Sequence, residues 1–265
     1  MISALRNLFK TREAAPVARV PAGERVYAIG DVHGRCDLFD ALIEAVELDN
    51  GSRGAAKTTS VLLGDLIDRG PDSYGVLTVA REWQRLRNIH ILLGNHEEML
   101  LDSLDNLEVF KAFVRFGGKE TLLSFGISEH DYVEAGWEEL HAMMLAAIPA
   151  RMIDFIRTFE DQVQIGDYLF VHAGIAPTVG LEAQKRSDLR WIREPFLSHE
   201  GWHGAVVVHG HTISDDPQVR ENRIGIDTGA YASGVLTALG LEGEHRWLIS
   251  ARAGENGIET FTQEA

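Results

Sequence analysis

One cysteine, Cys36, occurs in the 265 residues, so no internal disulfide can form. A chain that relies on none suits a reducing compartment, and a cytoplasmic location is expected. Thiol phosphatases carry an arginine six positions after their cysteine. Position 42 here is Leu42, so Cys36 is not read as a nucleophile. Positive charge is scarce: 25 Lys and Arg face 40 Asp and Glu, a formal net charge of −15. That balance argues against nucleic acid or an anionic membrane as the main partner. No apolar stretch is long enough for a signal peptide or a membrane span, so integral membrane association is not expected. A phosphate-binding P-loop is also missing. Gly118-Lys119 runs into Glu120, with no matching glycine four or five residues earlier.

Repeats, low-complexity tracts and linker-like stretches are absent, so the chain reads as one domain over 23–265. Residues 1–22 form an N-terminal arm, expected to be mobile, with Ile2, Leu5, Leu8 and Phe9 spaced as in a short amphipathic helix. From Glu24 onward one unit recurs: apolar strand, glycine, polar cluster, helix. It delivers Gly30-Asp31-Val32-His33-Gly34, then Gly64-Asp65-Leu66-Ile67-Asp68-Arg69-Gly70, then Gly94-Asn95-His96-Glu97-Glu98. Such alternation predicts an α/β fold with parallel strands whose functional groups collect at the carboxyl edge of the sheet. Asn50 to Thr59 reads as a loop. A helical insertion follows over about 99–157, in which Met143-Met144-Leu145 reads as core packing. Beyond it the pattern turns strand-rich. A hairpin ends in His172-Ala173-Gly174, a later strand reaches His209-Gly210-His211-Thr212, and runs at Val235–Leu241 and His245–Ile249 finish the sheet.

Asp31, His33, Asp65, Asn95, His172 and His211 each fall where a strand ends, most beside a glycine. Oxygen and imidazole ligands without thiolate suit Mn²⁺, Fe²⁺ or Zn²⁺. They are too many for one catalytic ion with open positions, and enough for two if Asp65 bridges.

The three glycine-flanked clusters resemble, in order and spacing, the signature of the phosphoprotein phosphatases within the calcineurin-like metallophosphoesterases. The later His172 and His211 motifs are similar to that family's later ones, and the layout is similar to its short bacterial and phage members. The resemblance covers roughly Val26 to Leu241. It implies a two-sheet β-sandwich flanked by helices, with a dinuclear metal centre at the sheet edge. By motif, Asp31, His33 and Asp65 would hold the first metal, and Asp65, Asn95, His172 and His211 the second. Mn²⁺ is the first expectation, Fe or Zn the alternatives. His209 lies outside the motif and is read as a core or supporting residue.

The implied activity is removal of phosphate from phosphoserine and phosphothreonine of proteins or peptides, with phosphotyrosine a further candidate, by attack of a metal-bridging hydroxide. Arg69, Asn95 and Arg193 would hold the phosphoryl oxygens, since arginine matches phosphate bidentately. Arg193 rests on Trp191-Ile192-Arg193-Glu194 resembling a stretch in short members. His96 would protonate the leaving alkoxide, oriented by Asp68. The rival reading is a symmetrical diadenosine-polyphosphate hydrolase, a group in which the counterpart of Asp68 is typically replaced. A non-catalytic phosphate-binding scaffold is the third, and no ligand is missing here as it would be in such a chain.

Overall fold

Two β-sheets face each other, and the computed structural model describes residues 17–265 of the chain. β1 (Glu24–Ile29) leads through α1 (Cys36–Ser52) to β2 (Lys57–Leu62), and α2 (Ser73–Leu86) leads to β3 (Ile89–Ile91). β1–β2 and β2–β3 pair in parallel, as strands joined by covering helices do. Helices α3 (Asn95–Ser103), α4 (Leu107–Phe113), α5 (Lys119–Ser124), α6 (Glu129–Glu134), α7 (Trp137–Ala147) and α8 (Ala150–Ile156) make up the insertion. The second sheet is built from β4 (Gln162–Ile165), β5 (Tyr168–Val171), β6 (Val206–His209), β7 (Gln218–Val219) and β8 (Arg223–Gly225), with α9 (Arg186–Trp191) between β5 and β6. After α10 (Ala230–Ser233) the chain returns to the first sheet as β9 (Val235–Glu242), β10 (His245–Gly254) and β11 (Gly257–Glu264). The six-stranded order is β11-β10-β9-β1-β2-β3 and the five-stranded order β4-β5-β6-β8-β7.

Strand alternation assigns the layers. Val26 and Ala28 of β1 meet Phe170, Val206 and Val208 between the sheets, while Tyr27 and Ile29 face α1, α2 and the insertion. On the outer side of the second sheet, Leu169, Val171 and Val207 pack on Leu189 and Phe196. Helix, sheet, sheet, helix is the layering expected from the resemblance.

The structure departs from the sequence reading in several places, and β2 already begins at Lys57, inside the stretch read as a loop. The edge strand β11 extends the sheet past Ile249. α1 continues to Ser52 where a loop was expected, because Asp49 holds Arg53 and Asn50 accepts from Arg25 and Thr58. Within Met143-Met144-Leu145, Met144 enters the core, Met143 packs at its edge, and Leu145 is exposed. Finally, the arm is packed well before residue 22. Ala18 and Val20 are buried between the sheets, and the Val20 N–H donates to Gly243 O at 2.9 Å. The amphipathic stretch of the arm lies outside the described residues. Among those described, no helix is long and apolar enough to cross a membrane.

Candidate metal centre

Only five described non-glycine residues have a positive φ: His33 (45°), Asp65 (49°), Asp68 (72°), Arg69 (68°) and His211 (62°). L-residues avoid this region, and such strain persists where surrounding structure over-determines it, often at functional sites. Every one of the five was singled out from the sequence. These residues sit in loops rather than at strand ends. β2 stops at Leu62, so Asp65 lies beyond it, and Asn95 opens α3 instead of closing β3. Left-handed turns, not strand pleating, therefore aim the side chains inward.

Glu97 holds the Asp65 loop in place. Its carboxylate accepts from the N–H groups of Asp65 (2.9 Å), Leu66 (2.7 Å), Ile67 (3.3 Å) and Gly94 (3.0 Å). Close approach also explains the glycines. A Cβ on Gly94 would stand 2.2 Å from Asp65 Oδ1, and one on Gly210 would stand 1.9 Å from Asp31 Oδ1.

The histidine rings are fixed by backbone carbonyls. His33 Nδ1 donates to Ile67 O at 2.8 Å and His172 Nδ1 to Leu63 O at 2.8 Å, which turns each Nε2 toward Asp65. His172 Nε2 is 3.4 Å from Asp65 Oδ2 and 3.0 Å from Asn95 Oδ1. Ligand atoms fall into two tight sets, His33–Asp65–His96 and Asp65–His172–His211, with Asp65 in both. Asp31 lies outside these sets. Its Oδ2 accepts the His211 N–H at 3.0 Å, while its Oδ1 and His211 Nε2 are buried without partners.

His96 is paired differently from the other rings. Its Nδ1 lies 2.6 Å from Asp68 Oδ2, and Asp68 Oδ1 accepts from Thr121 Oγ1 at 2.6 Å. Burial opposes a proton on His96, and Asp65 and Asp68 outweigh it, so its proton affinity is raised. A carboxylate on Nδ1, where His33 and His172 have a backbone carbonyl, favours the imidazolium form and suits an acid. Arg69 is half-buried. Its Nη1 donates to His33 Nε2 at 2.9 Å, and its guanidinium lies 5.0 Å from the Tyr231 ring. Arg193 is exposed, yet its charge reaches His211 and, after burial, helps to lower that ring to about 3. His209 packs on Phe196, away from these sets. Burial pushes the Cys36 thiol up to about 12, which leaves it no role as a nucleophile.

The sequence profile of the calcineurin-like phosphoesterases matches residues 24–232. This chain belongs to that family. It is 28% identical over 218 residues to serine/threonine-protein phosphatase 1 of Salmonella typhimurium, covering 80% of this chain and 89% of that one. It is 25% identical over 267 residues to a symmetrical bis(5'-nucleosyl)-tetraphosphatase of Methylobacillus flagellatus, covering 82% and 92%. A crystal structure of a candidate diadenosine tetraphosphatase superposes with a TM-score of 0.60 at 21% identity, covering 92% of this chain and 98% of that one. The last likeness concerns the fold.

The donor set of this metallophosphoesterase fits divalent cations on its own evidence. Asp31, Asp65, Glu97 and Asp227 are buried carboxylates within one another's field. Burial, with Asp227 nearby, pushes Asp31 up. Burial takes Asp227 to about 6 and, with Asp65, Glu97 to about 7. Burial works against a charge on His172, but Asp65 overrides it and raises the ring to about 10. Asp31 Oδ1 and His211 Nε2, buried without hydrogen-bond partners, are free to ligate a cation beside these carboxylates.

Sequence reasoning missed several supporting residues. Glu97 was noted only as part of a motif. Thr121 and Ser73, which bond each other at 2.8 Å and both accept from the Asp68 N–H, carry no motif. Gly117 receives the Arg69 N–H at 3.0 Å from within the insertion. Asp227, in the loop between β8 and α10, carries no motif either.

Proposed function

We propose that this metallophosphoesterase is a phosphomonoester hydrolase that removes phosphate from phosphoserine and phosphothreonine of proteins, and accepts phosphotyrosine. The observation that carries the reading is the buried His96–Asp68 pair beside Asp65. A serine or threonine alkoxide is a poor leaving group and needs a proton as the P–O bond breaks. A phosphate leaving from a dinucleotide needs that help far less. Similarity across 89% of the Salmonella serine/threonine phosphatase supports the same choice.

In this reading Asp31, His33 and Asp65 would hold one divalent cation, and Asp65, Asn95, His172 and His211 would hold the second, with Mn²⁺ the first choice. Such ions lower the pKa of bound water toward ~7 and neutralise phosphoryl charge. Around them the chain supplies the rest. Glu97 fixes the Asp65 loop. Arg69 and Arg193 bind phosphoryl oxygens together with the Asn95 amide. His96 holds a proton at Nε2 for the leaving oxygen, and Asp68, seated on Thr121, fixes the ring. A positioned acid contributes about 10²–10⁴-fold.

Symmetrical dinucleotide hydrolysis is the second reading, favoured by the similarity over 92% of the Methylobacillus tetraphosphatase. Purified protein with Mn²⁺, assayed side by side on phosphopeptides and dinucleoside tetraphosphates, decides between them. A higher kcat/KM on phosphopeptides is expected. The reverse order would assign the chain to dinucleotides.

A further inference from the structure

Beside the loop that carries His211, a cavity of about 260 Å³ is lined by Leu197, His209, Thr212, Gln218, Arg220 and Arg223, among others. Arg223 is the unusual member, only 2% exposed. Its Nη2 donates to Leu197 O at 3.2 Å and to Gln218 Oε1 at 3.1 Å, and its Nη1 approaches His209 Nε2 at 3.4 Å. Those contacts occupy at most three of the five N–H donors of a guanidinium, and Nε is buried with no partner. His209 donates from Nδ1 to Gly210 O, which leaves its Nε2 to accept from Arg223 and gives the guanidinium no counter-charge.

Nothing of opposite sign is paired with Arg223 among the described residues. The field of Glu194 reaches it, but that side chain is exposed and accepts from Ser198 Oγ at 2.5 Å. Arg220 on the rim adds like charge instead. Thr212 Oγ1, on the same wall, is a second buried polar atom without a partner. Arginine does not shed its proton to escape burial, so an unpaired buried guanidinium is costly unless an anion joins it. In a chain of net charge −15 such a collection is not a by-product of composition.

We propose that this cavity binds a small oxyanion, a single sulfate- or phosphate-sized group, at a site separate from the metal centre. Pockets for drug-sized ligands run to about 300–1,000 Å³, so the volume suits one oxyanion rather than a nucleotide. Arg223, Arg220 and Thr212 supply the donors. The placement ties the site to both flanks of the centre. Thr212 follows His211, and the Leu197 N–H donates to Arg193 O at 2.9 Å, closing the turn that carries Arg193. The inference holds whichever ester is hydrolysed.

Calorimetric titration of sodium sulfate into the full-length, Mn²⁺-supplied protein tests it, against chloride at matched ionic strength. Saturable binding is expected that survives Arg69→Ala and weakens about tenfold or more in Arg220→Gln and in Thr212→Val, as loss of a charge-assisted or buried donor would give. Absence of saturable binding overturns the proposal. So does binding that is lost in Arg69→Ala and kept in Arg220→Gln. A second arm separates a free ion from a group on the substrate, using peptides with one phosphate or two. A lower KM for the doubly phosphorylated peptide that disappears in Arg220→Gln assigns the anion to the substrate. Equal KM values alongside sulfate binding assign the site to the free ion.

Discussion

His96 and Glu97 are neighbours with opposite duties, and each can be tested alone. His96→Asn removes the proton held against Asp68. Activity on an alkyl phosphate such as phosphoserine should fall by about 10²–10⁴-fold, and far less on an aryl phosphate whose leaving group needs no proton. Equal losses on both in steady-state assays would take the acid role away from His96. Glu97→Gln leaves only one oxygen for the N–H groups that the carboxylate now accepts. Unpaired buried donors cost about 1–3 kcal/mol each, so denaturant unfolding should show a loss of about that size. Unchanged stability would mean that Glu97 does not hold the loop. At this scale the ligand candidates were legible because motifs mark them. Thr121 was not, since one threonine in a helical stretch carries no signal until the fold brings it to Asp68.

At the scale of elements, the insertion reaches into the site through α5. Thr121→Val keeps the shape of the side chain but leaves Asp68 without its hydroxyl partner. Stability should fall by about 1–3 kcal/mol, with a drop in kcat on phosphoserine peptides. An unaltered kcat would place the insertion outside catalysis. On the same side of the first sheet, Asp49 ties α1 to β1 and β10, accepting from Tyr27 OH (2.6 Å) and Trp247 Nε1 (3.1 Å), and it also accepts from Arg53 Nε (2.8 Å). Burial raises its carboxyl, but Arg53 and Tyr27 prevail and the net shift is downward. A depressed folded pKa adds stability above the unfolded value of about 3.9, lost as pH falls through the folded one. Asp49→Asn should therefore narrow the gap to the native chain in unfolding curves taken below pH 4. A gap that stays constant with pH would contradict this. Strands β1 and β2 were readable from apolar runs, whereas β11 was not. Its residues are mostly exposed at the sheet edge, so it lacks the alternation that marks a half-buried strand.

At the scale of the whole molecule, the layers serve to bring loops from both sheets to one place. Asp31, Asp65 and Asn95 arrive from the first sheet, His172 and His211 from the second, and neither set is complete alone. Metal binding should therefore hold the sheets together. At a hundredfold excess over Kd it adds about 2.7 kcal/mol to unfolding, and chelator should remove that gain together with activity. The two-sheet arrangement itself was legible only through family resemblance. Apolar alternation predicts strands but not which of two sheets receives them. The account depends most on Asp65 lying in both ligand sets, and metal content per chain measures this directly. Elemental analysis of Mn²⁺-supplied native protein should give two ions, falling below one in Asp65→Asn. Two ions retained in that variant, or one or none in the native protein, would contradict it.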